Sequence, residues 1–145
     1  MAGIKYRDIK AYKYQIIEDY QVKIDIKIPQ TSVQAPDVLP YVILKDGEIF
    51  IKRGYAYDGP SGPTFDTKNF MRGSLVHDAL YQLMRFGSLD RKRYRKQADK
   101  ILISICREDG MSGIRCWWVY WAVRLFAGRA AKHKEKYERK IYIAP

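Results

Sequence analysis

From Tyr20 to Ile28 apolar and polar residues alternate without a break, Val22, Ile24, Ile26 and Ile28 against Gln21, Lys23, Asp25 and Lys27. This period of two predicts a strand with one buried face. Residues 41–44 and 48–51 flank Asp46 and Gly47, two residues that tolerate positive φ, so the spacing predicts a hairpin. Residues 53–57 are expected to extend its second arm. Residues 29–40, with Pro29, Pro36 and Pro40, read as a loop, and residues 1–19 as an irregular strand or an arm.

The period changes after residue 66. Leu75, Val76, Ala79, Leu80, Leu83 and Met84 fall on one side of a helix at one hundred degrees per residue. Asp66 or Thr67 is positioned to cap its start and Gly87 to end it. Ser74, His77, Asp78, Tyr81 and Arg85 form a second, polar stripe expected on the opposite side. A second helix, capped by Ser88 or Asp90, runs to about Asp109 over a core stripe of Tyr94, Ala98, Ile101, Leu102 and Ile105. Gly110 breaks it and Ser112 caps a third, over residues 114–127, whose apolar residues surround nearly the whole circumference. Such a helix is expected to be buried on most sides, centrally or at a subunit interface through Trp117 to Phe126.

The expectation is one α+β domain: mainly strands over 1–57 forming a small antiparallel sheet of three or four strands, a turn-rich loop over 58–66, three α-helices over 67–128, and a basic tail over 129–145. The tail is expected to be helical or frayed, with residues 141–143 docking back. With 145 residues the chain can bury a sizeable core. It shows neither an apolar run of membrane-spanning length nor a leader, which predicts synthesis and action in the cytoplasm. Cys106 and Cys116 are the only cysteines and read as free thiols.

Charge divides the chain. The net charge is +11, yet residues 1–66 hold nine Lys or Arg against nine Asp or Glu, while residues 67–145 hold eighteen against seven. The excess therefore lies in the helical half, which predicts a basic face and an anionic partner: nucleic acid, a nucleotide-like ligand or an acidic protein. Lys92, Arg93, Arg95 and Lys96 crowd the first turns of the second helix, where positive charge opposes the helix dipole unless something anionic offsets it. With Tyr94 for stacking and Arg85 nearby, they are the candidate binding residues.

Candidate chemistry centres on residues 57–85. Gly59, Pro60, Gly62 and Pro63 fix a turn system that carries Asp58 and Ser61, and it runs into the helix that carries His77 and Asp78. Two readings follow. In one, His77 and Asp78 hold the loop of Asp58 and Ser61 in a structural network. In the other, His77, Asp78, Asp58 and Ser61 form a hydrolase site, with Ser61 the better nucleophile and Asp58, Asp78 or Asp99 orienting the imidazole. His77, Asp78 and Asp99 are the candidate ligands should a metal bind, but a metal phosphohydrolase needs more imidazoles than His77 and His133 provide, and no cofactor is expected. Attachment to a membrane surface through Trp117, Trp118 and Trp121 is disfavoured by the lack of a distinct polar face on that helix.

Asp58, Gly59 and Ser61, then His77 through Tyr81, Ala98 with Asp99, and Val123 through Phe126 together resemble the domain-of-unknown-function 1353 family of tailed phages and prophages, over roughly residues 46–128. The resemblance implies a phage or prophage origin and a shared loop-and-helix core; the expected place is the host cytoplasm or the virion. It implies no activity. The family pattern often sets a proline soon after the serine, whereas here Gly62 stands between Ser61 and Pro63. The expected role is an accessory or assembly factor that binds an anionic partner, with a small hydrolase as the rival.

Overall fold

The computed structural model describes residues 3–4, 6–8, 14–28, 31–32, 41–57 and 67–128. Its strands are β1 (Tyr6–Asp8), β2 (Tyr14–Ile16), β3 (Tyr20–Lys23), β4 (Thr31–Ser32), β5 (Val42–Lys45), β6 (Glu48–Ile51) and β7 (Ala56–Tyr57), and its helices α1 (Lys68–Arg85), α2 (Arg91–Glu108) and α3 (Gly113–Phe126). The α+β class expected from the chain is the class observed.

Asp46 and Gly47 make the predicted hairpin turn, both at positive φ (50° and 79°), and join β5 to β6 in register Lys45↔Glu48. The alternation from Tyr20 is also realised, but β3 stops at Lys23, which pairs Glu48, the first residue of β6. Beyond Lys23 the strand has no ladder partner. Residues 24–28 instead wrap the hairpin turn, Ile24 N–H donating to Gly47 O (2.8 Å) and Asp46 N–H to Ile28 O (3.0 Å).

Two small antiparallel sheets replace the single one expected, β1-β2-β7 and β3-β6-β5-β4. The reason lies just after β6. Gly54 at φ 91° and the bond from Tyr55 N–H to Lys52 O turn the chain, so residues 56–57 pair with β2 rather than prolonging β6. Residues 1–19 supply β1 and β2, and β4 lies within the span read as a loop.

α1 and α2 close alike. Gly87 and Gly110 take left-handed backbone, and paired bonds satisfy the last carbonyls: Ser88 N–H to Leu83 O and Gly87 N–H to Met84 O in α1, Met111 N–H to Cys106 O and Gly110 N–H to Arg107 O in α2. Asp90 and Ser112 cap α2 and α3 as expected. Thr67 holds the N-cap position of α1, but its hydroxyl bonds Asn69 and Arg115 rather than the helix amides.

α1 is the middle of the molecule, buried without interruption from Phe70 to His77. One apolar cluster joins Val22, Leu44 and Ile49 of the sheet to Leu75, Leu80 and Leu102 of the helices. Gly73 lets α2 come close, since a Cβ there would lie 2.8 Å from Cys106 Sγ. α3 departs from expectation. Cys116, Val119, Ala122 and Val123 are buried, while the opposite face carries Ile114, Trp117, Trp118, Trp121 and Leu125 exposed, and Phe126 is exposed at the helix end. Only one side of α3 meets another described helix, so being apolar all round does not make it central. Among the described residues no helix is long and apolar enough to cross a membrane. The expected ordered loop over 58–66 and the basic tail over 129–145 lie outside the described residues.

Candidate functional site

The polar stripe of α1 does not face away from the core. Ser74, His77 and Tyr81 are buried against the neighbouring helices, and only Asp78 and Arg85 stay half-buried. Ser74 spends its hydroxyl on Met71 O, one turn earlier in its own helix (3.0 Å). His77 and Tyr81 converge on Asp99 of α2, which is 0% exposed.

Asp99 Oδ1 faces His77 Nε2 at 2.7 Å and accepts from the Tyr81 hydroxyl at 2.5 Å, while Oδ2 accepts from Arg124 of α3 at 2.9 Å. Burial alone would raise the Asp99 carboxyl, but the bonds from His77, Tyr81 and Arg124 outweigh it and hold the group below its usual value. It is therefore a carboxylate and can only accept, so the hydrogen between it and His77 sits on Nε2. His77 Nδ1 points along α1, 4.0 Å from Asp78 Oδ1. Burial, then the bond to Asp99, pushes the Tyr81 hydroxyl well above an ordinary phenol. Tyr81 remains a neutral donor, with its ring 4.1 Å from the imidazole.

Arg95 completes the cluster from the side. Its Nε donates to the Tyr81 hydroxyl (3.2 Å), and its Nη2 donates to the carbonyls of Val123 (3.1 Å) and Arg124 (2.8 Å) at the end of α3. A cation at a helix C-terminus satisfies open carbonyls and complements the dipole. Arg95, expected among the surface-binding cations, thus points inward.

A second buried charge was missed in the sequence. Arg72, 5% exposed, donates from Nε to both oxygens of Asp109 (3.0 and 3.2 Å), from Nη2 to Asp109 and Glu108 (2.9 Å each) and from Nη1 to the Tyr20 hydroxyl (3.1 Å). Burial works to lower the guanidinium, and the bonds to Asp109, Tyr20 and Glu108 more than reverse it, so the charge is permanent. This clasp ties β3 to α1 and to the end of α2. Two signals could have found it: Arg72 lies three and four residues before Leu75 and Val76 on the apolar stripe, and Glu108 and Asp109 sit at a helix end that disfavours anions.

The remaining candidates divide by position. Lys92, Arg93 and Lys96 are exposed, and Tyr94 is half-buried with the Arg93 guanidinium 5.3 Å from its ring centre. At helical spacing Arg93 and Lys96 continue into exposed Lys100 and Arg107, so one cationic ridge runs the length of α2. Between α2 and β3 lies a cleft of about 540 Å³ whose rim mixes Lys23 and Lys100 with Asp25, Glu48 and Glu108. It concentrates neither sign. Among the described residues no three His, Cys, Asp or Glu side chains are grouped so as to hold a metal ion. Asp58 and Ser61 lie outside the described residues.

Residues 37–123 match the model of a family described as a protein of unknown function, DUF1353. The chain belongs to the DUF1353 family. The DUF1353 span takes in Arg72, His77, Tyr81, Arg95 and Asp99 and ends one residue before Arg124. No curated protein and no solved structure matches the chain.

Proposed function

We propose that the protein is an accessory factor of phage or prophage origin that acts in the host cytoplasm or on the virion by binding an anionic partner through the outward ridge of α2. One observation carries this reading: Arg93, Lys96, Lys100 and Arg107 are exposed on one line, with Lys92 beside them, while buried Arg72 and half-buried Arg95 and Arg124 are bonded to groups inside the protein. Cations that serve the fold are turned in. Those on the ridge leave a field that draws and holds anionic surfaces. Retention on immobilised heparin, titrated with salt, tests it. Reversing Arg93 and Lys96 together (Arg93→Glu, Lys96→Glu) is expected to weaken retention about tenfold or more and to flatten the salt slope by about one unit per lost contact. Retention that ignores both changes refutes the reading.

A second reading rests on the bond between His77 and Asp99. A carboxylate that fixes Nε2–H leaves Nδ1 as the basic nitrogen, the arrangement a hydrolase would need if Ser61 were its nucleophile and Asp58 and Asp78 its further acids. Turnover of an activated ester by the folded protein, lost in Ser61→Ala and in His77→Gln, would favour it over a purely structural network.

A further inference from the structure

The outward face of α3 is where the molecule departs most from an ordinary soluble surface. Ile114, Trp117, Trp118, Trp121 and Leu125 recur at three- and four-residue steps and fall within an arc of about 100° centred opposite buried Val123. Ile114 is 84% exposed, Leu125 72% and Trp117 65%. At roughly 200 Å² per large side chain, the stripe bares on the order of 600 Å², more than the few hundred Å² of a typical monomer. No hydrogen bond within the described residues uses the three indole N–H groups.

The cationic ridge of α2 reaches the start of α3, where Arg107 Nη2 lies 3.7 Å from the place a Cβ on Gly113 would take. We infer that α3 lies flat on an anionic lipid bilayer, its tryptophan stripe sunk to the level of the headgroups and the α2 ridge against the lipid phosphates. The inference rests on the reading of α2 as an anion-binding ridge and names its partner.

The chemistry favours a bilayer over the other occupants. Indoles suit the headgroup boundary, where the ring is apolar on one side and its N–H finds water or ester oxygens. Aliphatic Ile114 and Leu125 at the two ends of the stripe gain from lipid and would gain nothing from stacking on bases. A second copy would bring two chains of charge +11 together through their basic halves. The polar face that an interfacial helix normally shows to water is replaced here by the buried face of α3, so the objection to membrane attachment drawn from sequence no longer holds.

All three tryptophans of the chain lie on this helix, so tryptophan emission, excited selectively over tyrosine, reports on it alone. The full chain is mixed with vesicles of phosphatidylcholine, with and without phosphatidylglycerol, and followed by cosedimentation and emission. Binding only to the anionic vesicles, with a shift of emission to the blue, is expected. Each ridge cation reversed should cost about fivefold or more in partitioning. Trp117→Ser with Trp121→Ser, checked by an unchanged melting curve, should lose vesicle binding yet keep heparin retention. No binding to anionic vesicles, or binding without the shift, overturns the inference. So does a dimer in light scattering that vanishes in the tryptophan variant, or quenching of emission by a single-stranded oligonucleotide but not by vesicles. If heparin retention persists in any of these cases, only the bilayer falls; if ridge reversal leaves heparin retention unchanged, the reading of α2 falls as well.

Discussion

The contact between α1 and α2 and the outer side of α3 handle polarity in opposite ways. Between α1 and α2 a carboxylate with no solvent exposure is met by an imidazole, a phenol and a guanidinium. On α3, whose Arg124 reaches into that cluster, indoles and aliphatic chains stand bare. A protein that meets this carboxylate so completely, yet leaves large apolar groups uncovered, spends these polar residues on fixing the helices and keeps its apolar ones for contact with something else.

Substitutions at three positions would break or sharpen this contrast. The largest effect is expected from Asp99→Ala, which strands Arg124 and His77; breaking a buried pair costs about 3–5 kcal/mol, read as a lower midpoint in urea. The same carboxylate carries a pH signature. Its folded value is depressed below the unfolded one, so its contribution is complete above the unfolded carboxyl range and is lost as pH falls through the folded value. Acid unfolding of the wild type should therefore have a component that is missing in Asp99→Asn.

Tyr81→Phe should cost less, about 1 kcal/mol, since Asp99 keeps two donors and Arg95 keeps both its carbonyls. A midpoint that drops as far as in Asp99→Ala would mean that the phenol, not the ion pair, anchors the cluster. Smallest of all, Trp121→Ser should move the urea midpoint by no more than about 0.5 kcal/mol equivalent, because the side chain is half exposed and outside the core cluster. A large loss would erase the contrast and make the outer face of α3 part of the core.

The readable parts of the fold were those that local chemistry decides. Asp46 and Gly47 turn where φ must be positive, Asp90 and Ser112 cap, Gly87 ends α1, and the alternation from Tyr20 buries one face. What could not be read depends on distance along the chain or on the absence of a neighbour. His77 and Asp99 are twenty-two residues apart, and nothing near either one names the other. Arg95 sits in a run of five cations that look alike in sequence; only the place where α3 ends decides that Arg91 and Arg95 turn toward it. The split into two sheets hangs on the turn at Gly54, which lacks the Asp-Gly signature of the first hairpin. For α3, an apolar circumference says that every side can be covered, not that the chain itself covers them.

Arg124 has a further consequence. It belongs to the helix whose outer side is bare, yet its guanidinium holds the carboxylate that orients His77, and the carbonyls at the same helix end are gripped by Arg95, which also touches Tyr81. α3 is thus coupled to the imidazole like a lever to its pivot. Any load that shifts the helix by an ångström must stretch bonds at the centre of the molecule, so what happens outside is registered within.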